Sequence, residues 1–271
     1  MVESERFARL KGPATLWVVA AVHGDAARLG RLHAALAPQL RLGDRLIYTG
    51  NLIGIGGDTL ATFEEMLAFR RWFLARPAAI VSDFIYLRGA QEEMWSKLLQ
   101  LHFAPNPRDV LDWLIAQGAG ATLAAYGGSA AEGHAASREG AVSLARWTAA
   151  LRAAQNARPG HAALLTGVKR AAFTDPAAVL VVHSGLDPDK RLAEQKDAFW
   201  WDTKGFSRLA ARGTPFEGFA RIVRGFDRSA PGLVEAGATL TLDGGCGRGG
   251  PLLALGLRPD GHIVATLSSD A

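Results

Sequence analysis

A single cysteine, Cys246, stands in the 271 residues of the chain. No intrachain disulfide can form, and a reducing compartment such as the cytoplasm is the natural setting. Long apolar runs are also missing. "ATLWVVAAV" (14–22) is far shorter than the ~20 residues a membrane-spanning helix needs. The first residues, "MVESERFARLKGP", lack the apolar core of a signal peptide. A cytoplasmic chain without membrane association is expected. Runs of like charge are absent too. The 30 Lys and Arg against 26 Asp and Glu leave a net charge of +4 and a pI near 9.5. These charges are scattered, which suits a solvated surface and argues against a nucleic-acid groove. No internal repeat or long low-complexity tract occurs.

What is present is a globular composition, 49% hydrophobic and 21% charged, enough to bury a sizeable core. Short apolar runs alternate with helical patterns. "TLWVVAAV" (15–22) reads as a buried strand. The following helical pattern (25–40) opens on Asp25 as a candidate N-cap. "RLIYTG" (45–50) is the next strand, and residues 58–77 form a strong helix pattern opened by Asp58 and closed by Pro77. Another strand lies within 78–89. Residues 90–175 are Ala-rich and mostly helical, with breaks at "QGAGA", "YGGSAAEG" and "ARPG". Strands resume at 178–185, 221–225 and 239–245. Residues 251–267 read as a hairpin with Asp260-Gly261 at its turn. This order predicts an α/β sheet scaffold with a helical insertion at about 90–175, in a single domain spanning 1–271.

Six segments, taken in order, carry a resemblance. They are "AAVHGD" after the first strand, "GNLIGIGGDT" after the second and "LRGAQEE" after the third. "VVHSGLDPD", "VRGFDR" and "LDGGCGRGGPLLAL" follow. Together they resemble the bacterial calcineurin-like metallophosphoesterases, and most the branch of serine/threonine protein phosphatases and symmetrical diadenosine tetraphosphatase. The family's motifs at these places are Gly-Asp-x-His-Gly, Gly-Asp-x-x-Asp-Arg-Gly, Arg-Gly-Asn-His-Glu, Val-His-Ala-Gly-Leu, Gly-His-Thr and Leu-Asp-x-Gly-Cys. The resemblance covers about residues 14–268. It implies an α+β-type sandwich of mixed sheets flanked by helices. It also implies two divalent metals, Mn, Fe or Zn, that activate a water and clamp a phosphate.

Residue by residue, the implied chemistry is mostly gone. The metal-ligand positions hold Ala21, His23, Asn51, Ala90, His183 and Phe226. The position that orients the catalytic histidine holds Gly54, the phosphate-binding arginine is Ile55, and the catalytic histidine is Gln91. Only His23 and His183 keep the family residue. Two carboxylates that would hold two cations together are missing. Gln91 cannot carry a proton at neutral pH, and Ile55 offers no guanidinium fork. The expectation is a site with no catalytic residues and no metal cofactor. Its remnant cleft would be lined by His23, Asn51, Arg88, Gln91, His183 and Arg224, with both arginines as candidates to face an anion.

The remaining polar and aromatic features read as structural. Asp25 and Asp58 cap helices, and Glu92 and Glu93 complement a helix dipole. Trp200–Trp201 pack at a strand end. Cys246 fills space. "GGCGRGG" lacks the residues of a phosphate loop and serves tight turns. The expected function is a pseudophosphatase that binds or scaffolds an unidentified protein partner. The alternatives are a residual or repurposed phosphoesterase, and a non-catalytic sensor of a small phosphorylated ligand.

Overall fold

The computed structural model describes residues 6–271. Among these residues, eleven strands form two mixed sheets. The five-stranded sheet contains β2 (Leu16–Val19), β3 (Arg45–Tyr48), β4 (Phe84–Tyr86), β10 (Leu253–Leu257) and β11 (Ile263–Ser268), in the order β11-β10-β2-β3-β4. The six-stranded sheet contains β1 (Phe7–Lys11), β5 (Ala171–Asp175), β6 (Val179–Val182), β7 (Arg221–Arg224), β8 (Gly232–Ala236) and β9 (Thr239–Asp243), in the order β1-β5-β6-β7-β9-β8.

The pattern of each strand follows its place. β2 and β6 are "LWVV" and "VLVV", buried at every position. Strands covered on both faces read as unbroken apolar runs. β11, at an edge, alternates between half-buried and exposed residues. β2, β3 and β4 run parallel, as do β6, β7 and β9. Parallel neighbours need crossover connections, and helices supply the first two. These are α1 (Ala26–Leu36) and α2 (Thr59–Leu74), which pack on each other. α1 buries Leu29, Leu32 and Leu36. Asp25 caps it by accepting the Arg28 N–H at 2.9 Å. Asp58 precedes α2 but makes no capping bond with its side chain, so that expected cap is corrected. The hairpin is formed as read, with Gly261 at φ 88 in its turn.

Helices occupy 90–166: α3 (Ala90–Leu98), α4 (Pro107–Leu114), α5 (Gly120–Ala125), α6 (Ala130–Glu139), α7 (Ala141–Asn156) and α8 (His161–Thr166). Buried polar pairs tie them together. Trp95 Nε1–H donates to Gln155 Oε1 at 2.7 Å, and Tyr126 meets His161 Nδ1 at 2.8 Å. The helical segment is shorter than its sequence suggests, because β5 lies at the end of the 90–175 range. β5 pairs with β1, a strand that the polar N-terminal reading did not anticipate. Neither has a strong pattern of its own, and β1 is held by β5, which in turn pairs with β6. Two short helices, α9 (Ala198–Trp201) and α10 (Thr203–Ala211), follow β6. The tryptophan pair therefore sits on a helix, not at a strand end.

The carboxyl ends of the two sheets meet at one seam. The Ala21 N–H donates to the Gly225 carbonyl at 2.9 Å. His183 Nδ1 lies 2.8 Å from the Thr49 carbonyl. Gly225 is required there, since a Cβ would sit 1.8 Å from Thr49 Oγ1 and 2.4 Å from Thr49 Cβ. Backbone or a side chain must move to admit any larger residue. Gly225→Ala should cost ~3 kcal/mol, read as a lower urea midpoint with an unchanged slope.

Candidate functional site

Loops at this seam collect the residues singled out above. The site is built on the C-terminal ends of parallel strands, where open α/β sheets place their ligands. After β2 and β3 the chain turns sharply through His23 (φ 56) and Asn51 (φ 52). Both are non-glycine residues in the left-handed region, which costs roughly 1 kcal/mol or more each and clusters at functional sites.

Glu92 holds these loops together. Its buried carboxylate accepts the Asn51 and Gly89 N–H groups at 2.8 Å each, the Leu52 N–H at 2.8 Å and the Ile53 N–H at 3.3 Å. Gly89 permits the approach, because a Cβ there would lie 2.2 Å from Asn51 N. Burial pushes the Glu92 pKa up, and the backbone N–H groups oppose that shift. Glu92 thus does far more than complement a helix dipole. Its Arg-Gly-x-x-Glu frame was visible in the sequence, but the distant loop it clamps was not. Glu92→Ala should cost about 3–5 kcal/mol by stranding buried donors, measured by chemical denaturation. Glu92→Gln should cost less.

The two histidines are brought together, with Phe226 against both. The Phe226 ring stacks on His183 at 5.2 Å between centroids and 6° between planes. It lies 5.3 Å from the His23 ring. The carbonyl bond of His183 makes Nδ1 the protonated nitrogen and leaves Nε2 as a bare lone pair. That buried Nε2 has no partner among the described residues. His23 Nε2 faces the Asn51 side-chain amide at 3.3 Å, and its Nδ1 is likewise buried without a partner. Burial pushes the pKa of His23 down to about 3, with the Arg248 charge acting the same way, and that of His183 down to about 4. Both imidazoles are neutral at pH 7.

Asn51 is also spent on structure, since its Oδ1 accepts the Gln91 N–H at 2.8 Å. Gln91 is buried, and its Nε2–H donates to the Gln117 carbonyl in the helical segment. Ala21 and Ala90 are buried and offer no donor atom. Ile55 is partly exposed at the rim. Neither arginine proposed to face an anion is unengaged. Arg88 pairs with Glu93 at 2.8 Å. Arg224 is buried, ion-paired to Asp227, bonded to Thr241 Oγ1 at 2.9 Å and stacked over Phe206. The cation that does lie at the site is Arg248, 5.7 Å from the Phe226 ring and paired to Asp243 at 3.2 Å. Its place in the Gly-rich "GGCGRGG" gave no sign of this in the sequence. Cys246 packs as expected, its Sγ near the Val22 carbonyl and its pKa pushed up to about 12 by burial.

A dinuclear metal centre does not fit these residues. Among the described residues, no group of three or more His, Cys, Asp and Glu side chains is arranged to hold a metal ion. Two imidazoles and one committed amide supply too little charge and too few donors.

Three solved structures show what this architecture is similar to. A protein described as a candidate diadenosine tetraphosphatase matches with a TM-score of 0.56 at 17% identity, over 97% of this chain and 98% of its own. A protein serine/threonine phosphatase from Saccharomyces cerevisiae matches at 0.53 and 13% identity, over 94% and 78%. A cold-active protein tyrosine phosphatase matches at 0.52 and 13% identity, over 99% and 82%. No family model and no curated protein matches the sequence. The chain has the calcineurin-like metallophosphoesterase fold.

The histidines make stability depend on pH with a definite sign. Their folded pKa values lie below the unfolded value of 6.5, so the unfolded chain binds more protons between pH 6.5 and about 4. Stability is fully present above pH 6.5 and is lost as pH falls through this window, by up to ~1.4 kcal/mol per pH unit for each histidine. His183→Gln, which keeps a donor for Thr49, should flatten the decline between pH 7 and 5 in denaturant titrations.

Proposed function

We propose that this chain is a non-catalytic member of its fold class, a pseudophosphatase that works by binding. The observation that carries this reading is the Phe226 ring stacked on His183 and set against His23. An aromatic ring occupies the position where the family motif places a metal-binding histidine. The surrounding polar groups support the reading. Asn51 and Gln91 are bonded to backbone, and Arg88 and Arg224 are bonded to carboxylates. Both imidazoles, their pKa values pushed down by burial, are weak bases far from the value that suits a general base at pH 7. The loop frame is nevertheless retained, with Glu92 clamping it and two left-handed turns preserved. A frame kept without its chemistry suits a protein partner more than a small phosphorylated ligand, because Arg88, Arg224 and Arg248 are each paired to a carboxylate. Among the described residues, no helix is long and apolar enough to cross a membrane.

Metal analysis of the purified protein, joined to hydrolysis of p-nitrophenyl phosphate and diadenosine tetraphosphate with added Mn, tests this directly. Substoichiometric metal and no turnover above background are expected. Two metals per chain, with turnover abolished in His183→Ala, would overturn the reading.

A further inference from the structure

Away from the seam, the outer edges of the two sheets splay apart. The segment leading into β5 comes close to the end of β4, where Lys169 forms a bridge with Leu87 and donates its N–H to the Tyr86 carbonyl at 2.7 Å. Beyond that bridge a cavity of about 1190 Å³ opens between β1, β4, α2 and α8. Its size is ample for a small organic molecule, since ligand pockets typically run to about 300–1,000 Å³.

The lining has two characters. Phe7, Phe84, Ile85, Leu164, Phe173 and Leu192 make an apolar wall. The charged lining residues are Arg9, Arg70, Lys169 and Arg191 against one carboxylate, Glu217. Arg9 is paired with Asp175 at 3.0 Å, and Arg191 lies 3.8 Å from Glu217. The Arg70 guanidinium has no ion pair or hydrogen bond among the described residues. It stands in the lining next to the apolar wall. An anionic head would supply the counter-ion that Arg70 lacks, and an apolar body would cover the wall.

We propose that this cavity binds a small amphipathic anion, a carboxylate or phosphate monoester on an apolar body, with the head at Arg70 and the body against Phe7, Phe84 and Leu164. The site is separate from the seam and stands whether or not the seam is catalytic.

The test is calorimetric titration of the full chain with decanoate, decyl phosphate and decanol. Saturable one-to-one binding of at least one anion is expected, with decanol weaker by about tenfold or more. The preferred anion tells carboxylate from phosphate. Arg70→Gln should weaken the anion by about five- to tenfold. Ala163→Trp, at an exposed α8 position in the lining, should abolish binding by filling the space while leaving thermal unfolding unchanged. Arg28→Gln, remote from the cavity, should bind as the native chain does. Absence of saturation by either anion below about 1 mM, decanol binding as tightly as the anions, or undiminished binding in both Arg70→Gln and Ala163→Trp would each overturn the proposal.

Discussion

The seam between the two sheets is the constraint on which the rest depends. Ala21 and Thr49 come from the five-stranded sheet, and His183 and Gly225 from the six-stranded one. Two hydrogen bonds and one contact too close for a Cβ bind the strand ends across it. Each sheet buries its inner face against the other, but burial has no direction. The polar contacts at the strand ends set the register in which the sheets meet. That register brings His23, His183 and Phe226 to one point.

An aromatic ring and two neutral imidazoles fill the centre of that point. Stacked rings gain dispersion and area burial without the desolvation cost of charge. Glu92 is a buried carboxylate beside them. It is tolerated because four backbone N–H groups meet it. The left-handed turns at His23 and Asn51 stay in place because this clamp and the Asn51 amide over-determine the loop.

Much of this was legible in one dimension. β2, β3, β6 and β7 are short apolar runs ending in glycine-bearing loops, and the closing hairpin carries its own turn signal at Asp260-Gly261. The replacements at Ala21, Asn51, Ala90, Gln91 and Phe226 could be read from their motif frames. Other elements were hidden for physical reasons. β1 and β5 are weakly patterned, and β1 is held by pairing with β5, which in turn pairs with β6. β8 is an almost wholly exposed edge strand held by β9. Asp58 sits at a helix start by sequence, yet its side chain makes no cap. Arg88 and Arg224 lie next to loop glycines, but whether an arginine faces a cleft or a carboxylate depends on neighbours distant in the chain. Glu93 and Asp227 take them.

Which side chains at the seam lack a donor atom follows from the sequence alone. A side chain without a donor atom cannot ligate, and a residue type is a local fact. Most of the core strands are also local, because apolar periodicity and turn residues mark them, whereas the two-sheet arrangement was implied by the family resemblance alone. What surrounds the two histidines follows only from folding. The stacking of Phe226 on His183, the capture of Arg248 by Asp243 and the four-donor clamp on Glu92 all join residues far apart in the chain. The open space between β1 and β4 belongs to the same class. It is a property of how two sheet edges diverge, and no residue spacing encodes a gap between surfaces that meet only on folding.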